Sequence, residues 1–187
     1  MVYCNKKLLK NISTIHSGYA LRGKIPENTH GSMAILQMKD VQPEGIDWDG
    51  LTLMNPIGKR TPIFLQKGDV IFSGRGTKIF AQAVTIQPDK VAAGPQYFVI
   101  CPNKDVPAEY LAWYINSSAG QKYFWTNAGG TSIINVTREV LENLPIRIPS
   151  KRDMDTFVKY IIAIAKENKK FSTIQIKRQK LLESIIS

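Results

Sequence analysis

From Asp153 to Ile185 the apolar residues return every three or four positions: Met154, Phe157, Ile161, Ile164 and Phe171, then Leu182 and Ile185. Asn168, Gln175 and Arg178 fall on the same stripe where it turns polar. This spacing predicts one long helix with a heptad-like seam interrupted in its middle. Asp153 and Asp155 sit in its first turn, where negative charge suits the positive end of the helix dipole. A helix of ~34 residues runs about 50 Å, longer than a domain of this size can cover. Docking of the helix on its own domain is one reading; the length favours a partner.

The chain has 187 residues, 43% of them hydrophobic, enough for one ordinary globular domain with a real core plus an appendage. We place the domain at residues 1–150 and the helix at 151–187. The formal net charge is +10, which favours partners carrying negative charge, nucleic acid first and a membrane surface second. Residues 151–187 hold nine Lys and Arg against four Asp and Glu, so the helix is its most basic part. A solvated helix face rich in lysine explains that equally well.

Before the helix, Leu8, Leu9, Ile12 and Ile15 fall at helical spacing, and a polar loop rich in turn formers follows Gly18. Residues 33–41 (MAILQMKDV) and 51–54 read as strands. Residues 61–65 lead into the turn Gln66–Lys67–Gly68–Asp69, and VIFS (70–73) is a β-rich run after it. Residues 74–78 (GRGTK) read as a loop, and 81–86 and 97–101 as two further apolar runs. Residues 110–150 form a compact unit: a short amphipathic helix, a Gly-Gly turn at 129–130, a helical stub, and an apolar strand between Pro145 and Pro149. Strands at this spacing followed by helices indicate an α+β layer, not a βαβ array. Trp113, Tyr114, Phe124 and Trp125 read as core residues.

No catalytic constellation emerges. Cys4 and Cys101 match no metal or redox spacing, and His16 and His30 are too few to complete a zinc site. Gly74–Arg75–Gly76–Thr77 lacks the Gly-Lys-Ser/Thr ending of a phosphate loop. Asn55–Pro56–Ile57 lacks the second proline and the aromatic of an adenine-methyltransferase tetrad. Pro88–Asp89–Lys90 and Glu167–Asn168–Lys169 are nuclease-like fragments that do not combine into a site. No cofactor and no metal are expected. The start of the chain has no apolar core of a signal peptide, no stretch approaches the roughly 18 apolar residues of a membrane span, and a reducing cytoplasm is the expected compartment.

Several pieces, in order, resemble the specificity subunit of type I restriction–modification enzymes. Leu65-x-x-Gly68-Asp69-Val70-Ile71-Phe72-Ser73 is similar to the turn-then-strand element of its target recognition domain, followed by a Gly-Thr loop at Gly76–Thr77. Tyr110 to Gln121 is similar to its short helix with Asn116–Ser117 and Gly120–Gln121. Gly129 to Val136 is similar to its glycine turn, and Leu141 to Pro149 to its closing strand. The family usually opens its helix with Glu-Gln, where this chain has Arg152–Asp153. Its members usually carry two recognition domains and two helices, so this chain resembles a half-subunit. The resemblance implies an α+β fold: one globular target-recognition-type domain, a twisted mixed sheet with short helices, followed by a long C-terminal coiled-coil-like helix. It also implies a non-catalytic DNA-recognition subunit. Its partners would be double-stranded DNA, an adenine methyltransferase (modification) subunit, a restriction/translocase subunit, and a second copy of the chain.

Bases are then read from loops and strand edges, while phosphates supply affinity. Arg bonds guanine bidentately and Gln does so with adenine, which makes Arg75 the first candidate, with Gln82 and Gln96 behind it. Arg75 and Lys78 flank the flexible Gly76–Thr77 turn, and Thr77 and Lys78 are further candidate contacts. Tyr19, Arg22 and Lys24 are candidate phosphate contacts, as are Thr131 and Ser132, whose hydroxyls equally suit a local cap. Phe157, Ile161, Ile164, Asn168, Phe171, Gln175, Leu182 and Ile185 are the candidate dimerisation residues. An assembly module that docks a partner through its basic helix without reading DNA is the competing reading.

Overall fold

The structure, a computed structural model, describes residues 5–21, 25, 27–42, 45–57, 61–76, 78–129 and 134–186. The helical spacing at its start does not produce a helix. The chain runs through strand β1 (Asn5–Leu8), a single 3-10 turn at Leu9–Asn11 and strand β2 (Ser13–Ser17). So short a segment nucleates a helix poorly, and strand partners are at hand. β1 lies antiparallel to the closing strand, with Leu8 opposite Pro145, and Leu9 N donates to Leu144 O. Leu9, Ile12 and Ile15 are buried nonetheless.

The next elements are β3 (Met33–Leu36), β4 (Val41–Gln42), β5 (Gly45–Ile46) and β6 (Thr52–Met54). The apolar run 33–41 is not one strand: β3 takes its first four residues and β4 begins at its last, Val41. A 3-10 turn at Met38–Asp40 lies between them, closed by the Asp40 carboxylate accepting from Gln37 N at 2.7 Å. Residues 61–65 contribute only a single bridge, Phe64 to Ala92. Then come β7 (Val70–Ser73), β8 (Arg75–Gly76), β9 (Phe80–Ala83), β10 (Val91–Ala93) and β11 (Tyr97–Pro102). The amphipathic stretch after residue 108 is two helices, α1 (Ala108–Asn116) and α2 (Ser118–Asn127), because Ser117 leaves helical geometry and caps α2. β12 (Ile134–Asn135), α3 (Arg138–Glu142), β13 (Pro145–Ile148) and α4 (Lys151–Ile186) complete the chain.

The central sheet is antiparallel in the order β2-β11-β7-β9, and a second sheet, β10-β3-β6, pairs β10 with β3 in parallel. Side chains alternate across a strand, so β7 divides its residues between two cores. Val70 and Phe72 join Leu111, Ile115 and Phe124 of the helices, while Ile71 joins Leu36, Leu65 and Val99 against the second sheet. A strand covered on both faces has no polar side to show, which is why VIFS contains three apolar residues in a row. The fold is thus α+β in three layers, with the central sheet between helices and the smaller sheet.

Ser150 caps α4: its Oγ accepts from Asp153 N at 3.2 Å and donates to Asp153 Oδ2 at 2.8 Å. Met154 is buried, Val158 and Ile161 pack on the helical core, and Phe157 meets Trp113 edge-on at 4.6 Å. Beyond Ile161 the large side chains of the stripe are exposed: Ile164 55%, Phe171 62%, Leu182 57% and Ile185 73%. Thirty-six residues make a rod of about 54 Å, docked at one end. Tyr114 and Phe124 are core residues as expected, but Trp113 and Trp125 are not: they are 40% and 62% exposed.

Candidate nucleic-acid interface

Residues 74–78 were expected to form a loop. Instead Arg75–Gly76 is strand β8, paired antiparallel with β12 so that Asn135 lies opposite Arg75 and Ile134 opposite Gly76. The ladder starts from a tight contact, Val136 N to Gly74 O at 2.7 Å. A Cβ on residue 74 would lie 2.7 Å from the Phe72 ring and 2.9 Å from Val136 Cβ, so only glycine admits this approach. Gly76 has φ +119°, a conformation that L side chains rarely adopt. Two glycine-bearing segments far apart in sequence are thereby brought together at one end of the central sheet.

There the ends of β2, β7 and β11 and the β8–β12 ladder enclose a cavity of about 390 Å³. Arg75, Gln96, Asn135, Ser17 and Thr137 line it, with Tyr97 and Phe98 behind them, and none of its described lining residues is acidic. Arg75 Nε donates to Asn135 Oδ1 at 3.4 Å. Thr137 accepts from Val140 N and caps α3. Burial pushes the Tyr97 phenol well above its ordinary range, a hydrogen bond from Gln96 opposes that, and the charge of Asp40 adds to it. Its hydroxyl donates to Gln37 O at 3.3 Å, so it stays neutral and structural. The cavity therefore offers a cation and neutral donors and acceptors to an electron-rich, polar ligand.

The expected contact residues do not all gather here. Arg75 and Gln96 do. Lys78 is exposed two residues beyond β8. Gln82 faces elsewhere: it lines an open cleft of about 1090 Å³ between the β4–β5 hairpin, the end of β9 and the middle of α4. Tyr19 is placed against its expected role. It is 7% exposed, and its hydroxyl accepts from Ile57 N at 2.7 Å and donates to Ile57 O at 2.8 Å, which leaves no donor for a phosphate. Arg22, Lys24, Thr77, Thr131 and Ser132 lie outside the described residues. Asn135, Ser17 and Thr137 were missed. Nothing local distinguishes Asn135 from other asparagines, since its relation to Arg75 exists only once the register of β8 and β12 is set.

The helix seam also divides. Phe157 and Ile161 spend their apolar faces on the chain's own body, while Ile164, Asn168, Phe171, Gln175, Leu182 and Ile185 are exposed. Tyr160, Ile174 and Leu181 are exposed beside them. No helix of the described residues is long and apolar enough to cross a membrane, and no group of metal-ligating side chains occurs among them.

Residues 3–182 match the family described as type I restriction modification DNA specificity domain. No curated protein matches the chain. Among solved structures, the S subunit of a type I restriction-modification system from M. genitalium superposes with a TM-score of 0.63 at 12% identity, over 95% of this chain and 43% of that one. The HsdS subunit from Thermoanaerobacter tengcongensis gives 0.62 at 14%, over 88% and 38%. A chain from a structure on complex assembly and conformational transition of the type I R-M system gives 0.62 at 13%, over 97% and 43%. The chain spans less than half the length of these three, and at such identities the likeness is one of fold.

Proposed function

This chain belongs to the type I restriction modification DNA specificity domain family, and from that premise we propose that it recognises a specific duplex DNA sequence within a restriction–modification complex. The observation that carries the reading is Arg75, a guanidinium with no carboxylate partner among the described residues. It lines, with Gln96, a cavity whose described walls carry no negative charge. Arg and Gln are the residues whose paired donors and acceptors discriminate purines in the major groove. Lys78 and the surplus of +10 supply phosphate attraction, which positions the chain without specifying sequence. An adenine methyltransferase subunit and a restriction/translocase subunit would supply the chemistry, and no cofactor is assigned to this chain.

α4 then joins two copies. Its exposed stripe from Ile164 to Ile185 is self-complementary if two helices run antiparallel about a two-fold axis. Asn168 and Gln175 would set the register at some cost in stability. Identical halves related by a two-fold axis read the same bases on opposite strands, so the target is an interrupted palindrome. With the rod about 54 Å long and 34–36 Å per turn of DNA, the half-sites are centred roughly one to one and a half turns apart.

The exposed stripe also favours a second reading, in which the helix docks a partner protein and the domain never touches DNA. Salt separates the two. A chain that neutralises several phosphates loses duplex affinity with a log–log slope of about −0.9 per phosphate. Arg75→Ala should weaken the selected site by ~1–3 kcal/mol and relax preference at one position. Equal weakening of selected and random duplexes would remove Arg75 from base reading. Absence of salt-dependent duplex binding would leave the docking module.

A further inference from the structure

The β8–β12 ladder holds more than a convergence of loops. Val136 N donates to Gly74 O, which makes residues 74 and 136 the hydrogen-bonded pair and puts Arg75 and Asn135 in the adjacent non-bonded position. In antiparallel sheets that position brings opposite side chains closest. Asn135 is also tied from its other side, its N–H donating to Gly129 O at 3.1 Å. The amide that meets Arg75 is therefore mounted on backbone fixed along both edges.

We infer that Asn135 is a positioning residue for base selection: by accepting from Arg75 Nε it presents the guanidinium end-on, for guanine. The inference rests on the DNA-reading role proposed for Arg75. A guanidinium has two forks that match the O6 and N7 acceptors of guanine, one made of Nε with a terminal nitrogen and one made of both terminal nitrogens. Asn135 Oδ1 occupies Nε, so the side fork is removed and the end fork remains. Neither terminal nitrogen of Arg75 has a partner among the described residues. At 3.4 Å the bond is long for N–H···O, so it supplies direction more than energy. A neutral amide does this without cancelling the charge. A carboxylate at 135 would hold the same nitrogen and compensate the cation.

The test is selection from a randomised duplex library by the full chain, its Arg75→Ala, Asn135→Ala and Asn135→Asp variants, and the double alanine variant. The natural chain should enrich a guanine at one position of each half-site, and Arg75→Ala should erase that preference alone. Asn135→Ala should lower it at the same position by about tenfold, within what one bidentate contact discriminates, and leave other positions intact. The double alanine variant should be no worse there than Arg75→Ala, since the amide acts through the guanidinium. Asn135→Asp keeps the acceptor and should keep the guanine preference, while its affinity for every duplex falls. An unchanged guanine preference in Asn135→Ala, a change at another position, or additive losses in the double variant would overturn the inference while leaving the DNA-reading function standing. Loss of the guanine preference in Asn135→Asp would overturn it as well, and that arm decides should the alanine variant not fold. Failure of the natural chain to enrich any sequence would instead remove the DNA-reading function, and this inference with it.

Discussion

Replacing Asn116 with alanine should destabilise the domain more than an exposed residue normally can. Its Oδ1 accepts from Ala81 N at 2.8 Å and its Nδ2 donates to Ala81 O at 2.8 Å. Among the described strands β9 is an edge strand, paired only with β7, and this amide closes its open side in place of a neighbouring strand. Ala81 is 2% exposed, so water reaches its two backbone groups poorly once the amide is gone. Two neutral hydrogen bonds contribute ~0.5–1.5 kcal/mol each, and leaving a buried group unpaired raises the cost to ~1–3 kcal/mol apiece. The exposed side of Asn116 admits some water in its place, which puts the loss at about 2–4 kcal/mol. With a urea m-value of about 2–3 kcal/mol per molar, the unfolding midpoint falls by roughly 1 M. Urea titrations followed by far-UV circular dichroism and by tryptophan fluorescence measure this, provided the slope is unchanged. Asn116→Asp keeps the acceptor but sets a carboxylate against Ala81 O, so it should lose at least as much as alanine. A loss below about 0.5 kcal/mol in the alanine variant, at equal slope, would refute the idea that this amide closes the sheet edge.

Burial, with a hydrogen bond and the negative charge of Asp69 acting in the same direction, pushes the Cys101 thiol from 9.0 up to about 12. The folded chain therefore holds that proton more tightly than the unfolded one. The stability linked to it is complete below about pH 9 and lost as pH rises towards 12. Burial acts the same way on Tyr97 above pH 10. Urea midpoints should fall between pH 8 and pH 10.5, and a midpoint that holds or rises would contradict both assignments. In a Cys4→Ser background, iodoacetamide at pH 8 should modify Cys101 far faster in urea than in the folded chain; equal rates would place the thiol outside the core. The full chain should show a dimer mass by light scattering at micromolar concentration, and both Ile164→Asp with Leu182→Asp and a chain ending at Ser150 should be monomeric. A dimer that survives these changes would take α4 out of the interface. Incubated with DNA, magnesium and S-adenosylmethionine, the chain alone should leave the DNA unchanged; methyl transfer would overturn its non-catalytic role.

The sequence by itself determined the elements whose causes are local. The spacing from Met154 to Ile185 set a long helix, and Asp153 with Asp155 marked its first turn. VIFS announced a strand, and the apolar run between Pro145 and Pro149 the closing strand. These are matters of periodicity, capping and turn residues, readable within a window of a few turns. What the tertiary structure decided was every question of partnership. Leu8 to Ile15 carried helical spacing, yet the closing strand and β11 were available to pair with, and pairing overrode the pattern. Gly74 to Lys78 looked like a loop until β12 lay against it. Tyr19 looked like an exposed phosphate contact until Ile57 engaged both sides of its hydroxyl. Gln82 and Gln96 were equivalent as text, and the fold sent one to the α4 cleft and the other to the cavity that Arg75 lines. Trp113 is partly covered because Tyr110 and, from α4, Phe157 lie against it. Register and packing join residues 60 apart, as Arg75 and Asn135 are, and a one-residue slip would turn every such side chain to the opposite face. No local window contains that information, so the long helix could be read from the sequence while the neighbour that aims Arg75 could not.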